Sequence, residues 1–224
     1  GTDRRMIRKR IQELKKKLDK IEDARESQAD NRSDIFQVGI VGYTNAGKST
    51  LTNRLTGANV YVEDKLFATL DSTTRKLFLD GENIILSDTV GFIRKLPHNL
   101  VETFKSTLGV AAHADCILEV VDGSAPDYRE HLEVTHKTLE SIVDPETPRL
   151  RVFNKVEVAD EARRMELLQN YPEAIQISAK ENIGMERLRE AFKEQLENWK
   201  KKREATAAKI KEVAESPWSG LDER

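Results

Sequence analysis

One stretch constrains this chain more than any other: Val38-Gly39-Ile40-Val41-Gly42-Tyr43-Thr44-Asn45-Ala46-Gly47-Lys48-Ser49-Thr50. An apolar run with the character of a buried strand enters a turn spaced G-x-x-x-x-G-K-S, and a helical pattern begins at Lys48. Gly42 and Gly47 permit positive φ, so the successive N–H groups of Tyr43, Thr44, Asn45 and Ala46 can converge on an anion. The helix start, with Ser49 and Thr50 in its first turn, adds unpaired N–H donors and the positive end of a helix dipole. Lys48 is placed to reach β- and γ-phosphates, and the Ser49 hydroxyl to bind Mg²⁺. Strand, loop and helix in this order predict a nucleoside triphosphate site.

The rest of the chain alternates strand and helix patterns. Strands are predicted over Ile35–Val41, Lys76–Leu79, Ile84–Asp88, Cys116–Val121, Leu150–Phe153 and Ala174–Ile177. Asp80-Gly81 makes the second and third a hairpin. Helices are predicted over Lys48–Leu55, Asn99–Ala112, Tyr128–Ile142, Asp160–Asn170 and Met185–Lys200. The expected fold is α/β, a mostly parallel sheet with helices on both faces, over residues 34–198. Before it, residues 1–33 read as one basic linker helix, with Ile7, Ile11, Leu14, Leu18 and Ile21 spaced as a narrow apolar seam. After it, residues 199–224 read as a helical or loose tail, stopped by Pro217-Trp218-Ser219-Gly220. Of 224 residues 34% are charged, yet the net charge is −2, so only local basic clusters can argue for nucleic acid. The single cysteine, Cys116, lies in an apolar run and reads as a small buried hydrophobe. With no leader and no long apolar span in the sequence, a cytoplasmic protein is expected.

Two further clusters supply what a phosphate loop needs to become a guanine-nucleotide switch. Asp88-Thr89-Val90-Gly91 follows a strand: Asp88 would hold Mg²⁺ through a water, and the Gly91 N–H would sense the γ-phosphate. Asn154-Lys155-Val156-Glu157 ends a later strand and nearly matches the base-reading sequence N-K-x-D. There Asn ties this loop to the phosphate loop, the Lys stem lies over the base, and the acid accepts from guanine N1–H and the exocyclic amine. Glu157 in place of Asp carries its carboxylate more than ~1 Å further out. Ser178-Ala179-Lys180 supports the base from the other side. A Thr must also reach Mg²⁺ from the segment before Asp88, and Thr69, Thr73 and Thr74 all qualify.

The phosphate loop, Leu66-Phe67-Ala68-Thr69-Leu70-Asp71 and Asp88-Thr89-Val90-Gly91-Phe92-Ile93-Arg94-Lys95-Leu96-Pro97-His98 together resemble the HflX family of ribosome-associated GTPases over most of residues 2–198. The resemblance implies GTP/GDP as ligand and nucleotide-switched binding to the large ribosomal subunit, in splitting or rescue of ribosomes. It also implies that Phe67, Ala68, Thr69, Leu70 and Asp71 form switch I, with Thr69 as its Mg²⁺ ligand beside Ser49 and Asp88. Thr73 and Thr74 are then a polar loop approaching a strand. The resemblance further reads Thr2-Asp3-Arg4-Arg5 as the end of a segment joining an N-terminal domain to the G domain. The chain is accordingly expected to be an excised fragment, with Gly1 a cloning remnant. Leu108-Gly109-Val110 departs from the family's T-L-E-E and puts a glycine into a helical pattern.

Phe92 stands where Ras-like GTPases place the Gln that orients the attacking water. A phenyl ring cannot do this. Asn45 suggests a cation instead, since G-x-x-N-x-G-K-S loops resemble those of K⁺-stimulated GTPases. Arg75 is a candidate internal arginine finger, weighed against an ordinary solvated loop Arg. The expected activity is slow hydrolysis of GTP, driven by Lys48, Mg²⁺, Asn45 and loop amides including that of Gly91. The alternative is a nucleotide-gated binding module with negligible turnover.

Overall fold

The structure is a computed structural model that describes residues 35–57, 73–89 and 109–214. The helix expected over 1–33, switch I at Phe67–Asp71, Val90, Gly91, Phe92 and the stop at Pro217–Gly220 lie outside the described residues.

Among the described residues six strands form one sheet: β1 (Phe36–Gly42), β2 (Thr73–Leu79), β3 (Glu82–Asp88), β4 (Cys116–Asp122), β5 (Arg149–Asn154) and β6 (Ile175–Gln176), in the order β2-β3-β1-β4-β5-β6. Only β2 runs antiparallel, joined to β3 through Asp80 and Gly81, both at positive φ. The helices are α1 (Lys48–Thr56), α2 (Tyr128–Glu140), α3 (Glu161–Asn170) and α4 (Met185–Ala214), and residues 109–112 are also helical.

Alternation along β1 explains the two layers. Phe36, Val38 and Ile40 point to one face, where they pack with Leu51 and Leu55 of α1 and Leu188, Phe192 and Leu196 of α4. Val41 points to the other, beside Ile117, Ala111, Leu139 and Val143. Val121, Phe153, Tyr128 and Leu167 extend that second layer beneath α2 and α3. Both faces are covered, so β4 is buried from Cys116 to Val121, as a central parallel strand requires. At about 25 cal/mol per Å² of apolar surface, each fully buried Leu or Ile contributes roughly 1.5–3 kcal/mol.

Two local expectations change. Thr73 and Thr74 are not a loop: they open β2, opposite Asp88 and Ser87. Arg75 is not a loop residue either, because it sits mid-strand opposite Leu86 and half-buried. β-branched threonines suit a pleated strand, and the hairpin register draws them in. The last helix continues past Lys200 to Ala214, since Lys, Arg, Glu and Ala sustain a helix without a buried face. Trp199 anchors it by a tilted ring contact with Phe36, at 5.6 Å between centroids. No helix among the described residues is long and apolar enough to cross a membrane.

Candidate nucleotide-binding site

The carboxyl ends of the parallel strands bring the sequence clusters together. β1 ends at Gly42, where an added Cβ would stand 2.2 Å from the Val120 carbonyl oxygen. Only glycine lets β1 and β4 approach this closely at the loop entrance. The loop then turns through Asn45 at φ 59° and Gly47 at φ 91°, and the Ala46 N–H donates to the Tyr43 carbonyl. Gly47 is the N-cap of α1, with no side chain capping it and no acid in the first turn. No N-cap side chain therefore competes with an anion for the start of α1.

Inside this cradle the Lys48 ammonium lies 3.5 Å from both the Gly42 and Tyr43 carbonyl oxygens. Lys48 is 7% exposed. Burial pushes its pKa below the ordinary lysine value, opposed by the nearby Asp88 carboxylate. A phosphate at this position would relieve that penalty. The Ser49 hydroxyl donates to Asp88 Oδ2 at 2.8 Å. A hydroxyl and a carboxylate side by side are the hard oxygen donors that Mg²⁺ takes, so this pair fits the ion the sequence implies. Thr89, fully buried, fixes the end of β3 by donating both its N–H and its hydroxyl to the Ile40 carbonyl.

Asn154 joins three loops. Its Nδ2 donates to the Ala46 carbonyl at 3.0 Å and its Oδ1 accepts from the Ala179 N–H at 3.0 Å. A Cβ on Gly47 would come within 2.3 Å of the same Nδ2, so Gly47 is constrained twice, by its φ and by its neighbour. Lys155, at φ 65°, donates from Nζ to the Asn45 carbonyl and pairs with Asp122 at 2.8 Å. Val156 is buried while Glu157 is exposed on the adjoining turn. Ser178 is buried and accepts the Glu181 N–H, and Lys180 is exposed. Lys48, Ser49, Asp88, Asn154, Lys155 and Ala179 thus meet around one loop. Thr44 is buried, Asn45 exposed and Thr50 half-buried.

Several residues of this site carry no short motif. Asp122 orients Lys155 and is held by the Ser124 N–H and hydroxyl. Arg54 of α1 donates to the Ala179 and Lys180 carbonyls, at 2.8 and 2.7 Å, pinning the base-side loop. The Tyr43 ring stacks on His131 of α2, 3.8 Å between centroids and 11° from parallel, and His131 faces Asp127. An Asp closing a buried strand was the one available signal, and it marks Asp122. The other contacts join residues far apart in sequence.

Residues 37–155 match the family described as 50S ribosome-binding GTPase. The chain is 51% identical over 201 residues to the GTPase HflX of Caldanaerobacter subterraneus subsp. tengcongensis, covering 87% of this chain and 45% of that protein. It is 42% identical over 200 residues to the GTPase HflX of Escherichia coli, covering 87% and 47%. The chain therefore spans less than half the length of these curated relatives. Among solved structures, a GTP-binding protein from Sulfolobus solfataricus in complex with GDP superposes with TM-score 0.61 at 27% identity, covering 83% of this chain and 58% of that one.

Proposed function

Because the chain belongs to the family of 50S ribosome-binding GTPases, with relatives of the HflX type, we propose that it binds GTP and GDP with Mg²⁺, hydrolyses GTP slowly, and couples the bound nucleotide to association with the large ribosomal subunit, in splitting or rescue of ribosomes. The observation that carries the reading is the Gly47-capped start of α1, with buried Lys48 and the Ser49–Asp88 pair beside it. Those groups suit the charge of a triphosphate. In a cytoplasmic setting the chemistry supplied by Mg²⁺ would be positive charge against that of the triphosphate. Ser49 and Asp88 would hold it, joined by Thr69.

The chain's own contribution is electrostatic. Loop amides and the α1 N-terminus bind the phosphates in fixed orientation, and Lys48 keeps its proton as the anion enters. The amide of Gly91 is assigned to the γ-phosphate. Asn154 and Lys155 place the base-reading loop against the phosphate loop, and Glu157 supplies the acceptor for guanine. Ser178, Ala179 and Lys180 close the base side, braced by Arg54. With Phe92 unable to orient water, exposed Asn45 is assigned to a K⁺ ion near the phosphates.

The test is phosphate release from GTP by the chain and by Lys48→Ala, each in K⁺ and in Na⁺ at constant ionic strength. The expected result is turnover that K⁺ raises and Lys48→Ala abolishes, with folding retained by circular dichroism. Undiminished turnover in a Lys48→Ala protein of verified purity contradicts the reading, and equal rates in both salts remove K⁺ from it.

A further inference from the structure

We infer that the distal half of α4 is a preformed basic ridge that binds the phosphate backbone of RNA. Between Lys200 and Lys211 the sequence holds six basic residues and one acidic residue. Every residue from 201 to 211 is exposed. The proximal half of the same helix packs through Leu188, Phe192 and Leu196, and Trp199 ends that packing on Phe36. Beyond it, the basic side chains fall into two groups. Lys200 is committed to Glu82 and Arg203 lies over the Trp199 ring at 4.8 Å, so these two brace the helix. Lys201, Lys202 and Lys209 have no ion-pair partner among the described residues.

At 100° per residue, Asn198, Lys201, Lys202, Ala205 and Lys209 lie on one face about 100° wide. No acid interrupts that face between Asn198 and Lys209. Lys202 and Lys209 are separated by about 10 Å along the axis, from a rise of 1.5 Å per residue. Ala205, Ala207 and Ala208 favour helix, and the docked half supplies the nucleus that a short free helix lacks. The lysines are therefore presented on a rigid rod before any partner arrives, which lowers the ordering cost of binding.

The occupant follows from what the ridge lacks. A helix lying in a membrane surface needs a broad apolar face, and here Ile210 is the only large apolar side chain from 201 to 211. A protein partner is anchored by aromatic or aliphatic groups in pockets, and Lys201, Lys202 and Lys209 frame only Ala205. Exposed cations without a large apolar side chain on their face suit a phosphate backbone, where counterion release drives binding without sequence reading. The choice of RNA rests on the ribosomal reading above. The surface itself is separate from the nucleotide site and uses none of its residues.

The experiment titrates the chain against a fluorescein-labelled RNA duplex by anisotropy, across a salt series. Lys201→Gln/Lys202→Gln/Lys209→Gln is compared with a control of equal charge loss, Lys76→Gln/Lys137→Gln/Arg164→Gln. The ridge variant should bind roughly tenfold or more weaker at low salt, with the slope of log affinity against log salt reduced by about 2 to 3. The control should lose little, and helix content and GDP affinity should be unchanged in both. Equal losses in the two variants, or none in the ridge variant, overturn the proposal. So does tighter competition by a DNA duplex, or by anionic phosphatidylserine vesicles, than by unlabelled RNA. Loss of GDP affinity in the unsubstituted chain would count against the nucleotide reading and leave this result standing.

Discussion

Asn154 shows how much one side chain carries in this molecule. It satisfies a carbonyl of the phosphate loop and an amide of the base-side loop in a position only 3% exposed. Asn154→Ala strands both groups, at about 1–3 kcal/mol for each that stays buried and unpaired. Calorimetry should find GDP affinity reduced by ten- to a hundredfold and thermal stability lowered with it; a variant that binds GDP as well as the parent would show that the loops hold together without this link. Cys116 makes the opposite point. It is fully buried at the start of β4, and burial pushes its thiol pKa up to about 12 from 9.0. Thiolate is the reactive form, so iodoacetamide should leave the native chain unmodified at pH 8 and label it once it is denatured. Native labelling by mass spectrometry would contradict the packing around it. Both residues were readable in the sequence, Asn154 through its place in N-K-x-acid and Cys116 through its apolar run. Tyr43 stacked on His131 was not readable, because nothing in either segment announces a partner 88 positions away.

At the scale of elements, the sequence is most transparent where a period is enforced by burial. β1, β4 and β5 lie between two packed layers, and their apolar runs predict them to within a residue or two. β2 was underestimated at Thr73, Thr74 and Arg75, since an edge strand with polar residues shows no apolar run and is recruited by pairing with β3. The distal half of the last helix, one of the two readings of the tail after Trp199, follows propensity alone. The helix at residues 109–112 is a further case. Gly109 sits in helical conformation, and no described residue lies within 4 Å of where its Cβ would stand. Gly109→Ala should therefore raise stability by about 0.5–1 kcal/mol, through the entropy of the unfolded chain and helix propensity. Urea denaturation monitored by circular dichroism measures this directly. A destabilised Ala variant would mean that Gly109 serves a contact or a motion that the helix needs.

At the largest scale, the sheet works as a platform whose carboxyl edge gathers the loops that follow β1, β3, β4, β5 and β6. α1 supplies both the anion-binding end and Arg54, which reaches across to the Ala179 and Lys180 carbonyls. β4 contributes Asp122, which keeps Lys155 against Asn45. Gly42–Lys48, Asn154–Glu157 and Ser178–Lys180 are thus one mechanically linked unit, and these loops, with Ser49 and Asp88, were legible because each is a short motif at a strand end. The braces between them were not, because they are products of topology. Glu157 is the point at which the account is most exposed, since an exposed carboxylate longer than the usual Asp must still select guanine. The decisive measurement is titration calorimetry of the chain with GDP and with ADP in Mg²⁺, using Lys48→Ala alongside. The account predicts saturable GDP binding, at least tenfold weaker ADP binding, and sharply weakened GDP binding by the variant; equal affinity for ADP, or GDP binding indifferent to Lys48, would contradict it.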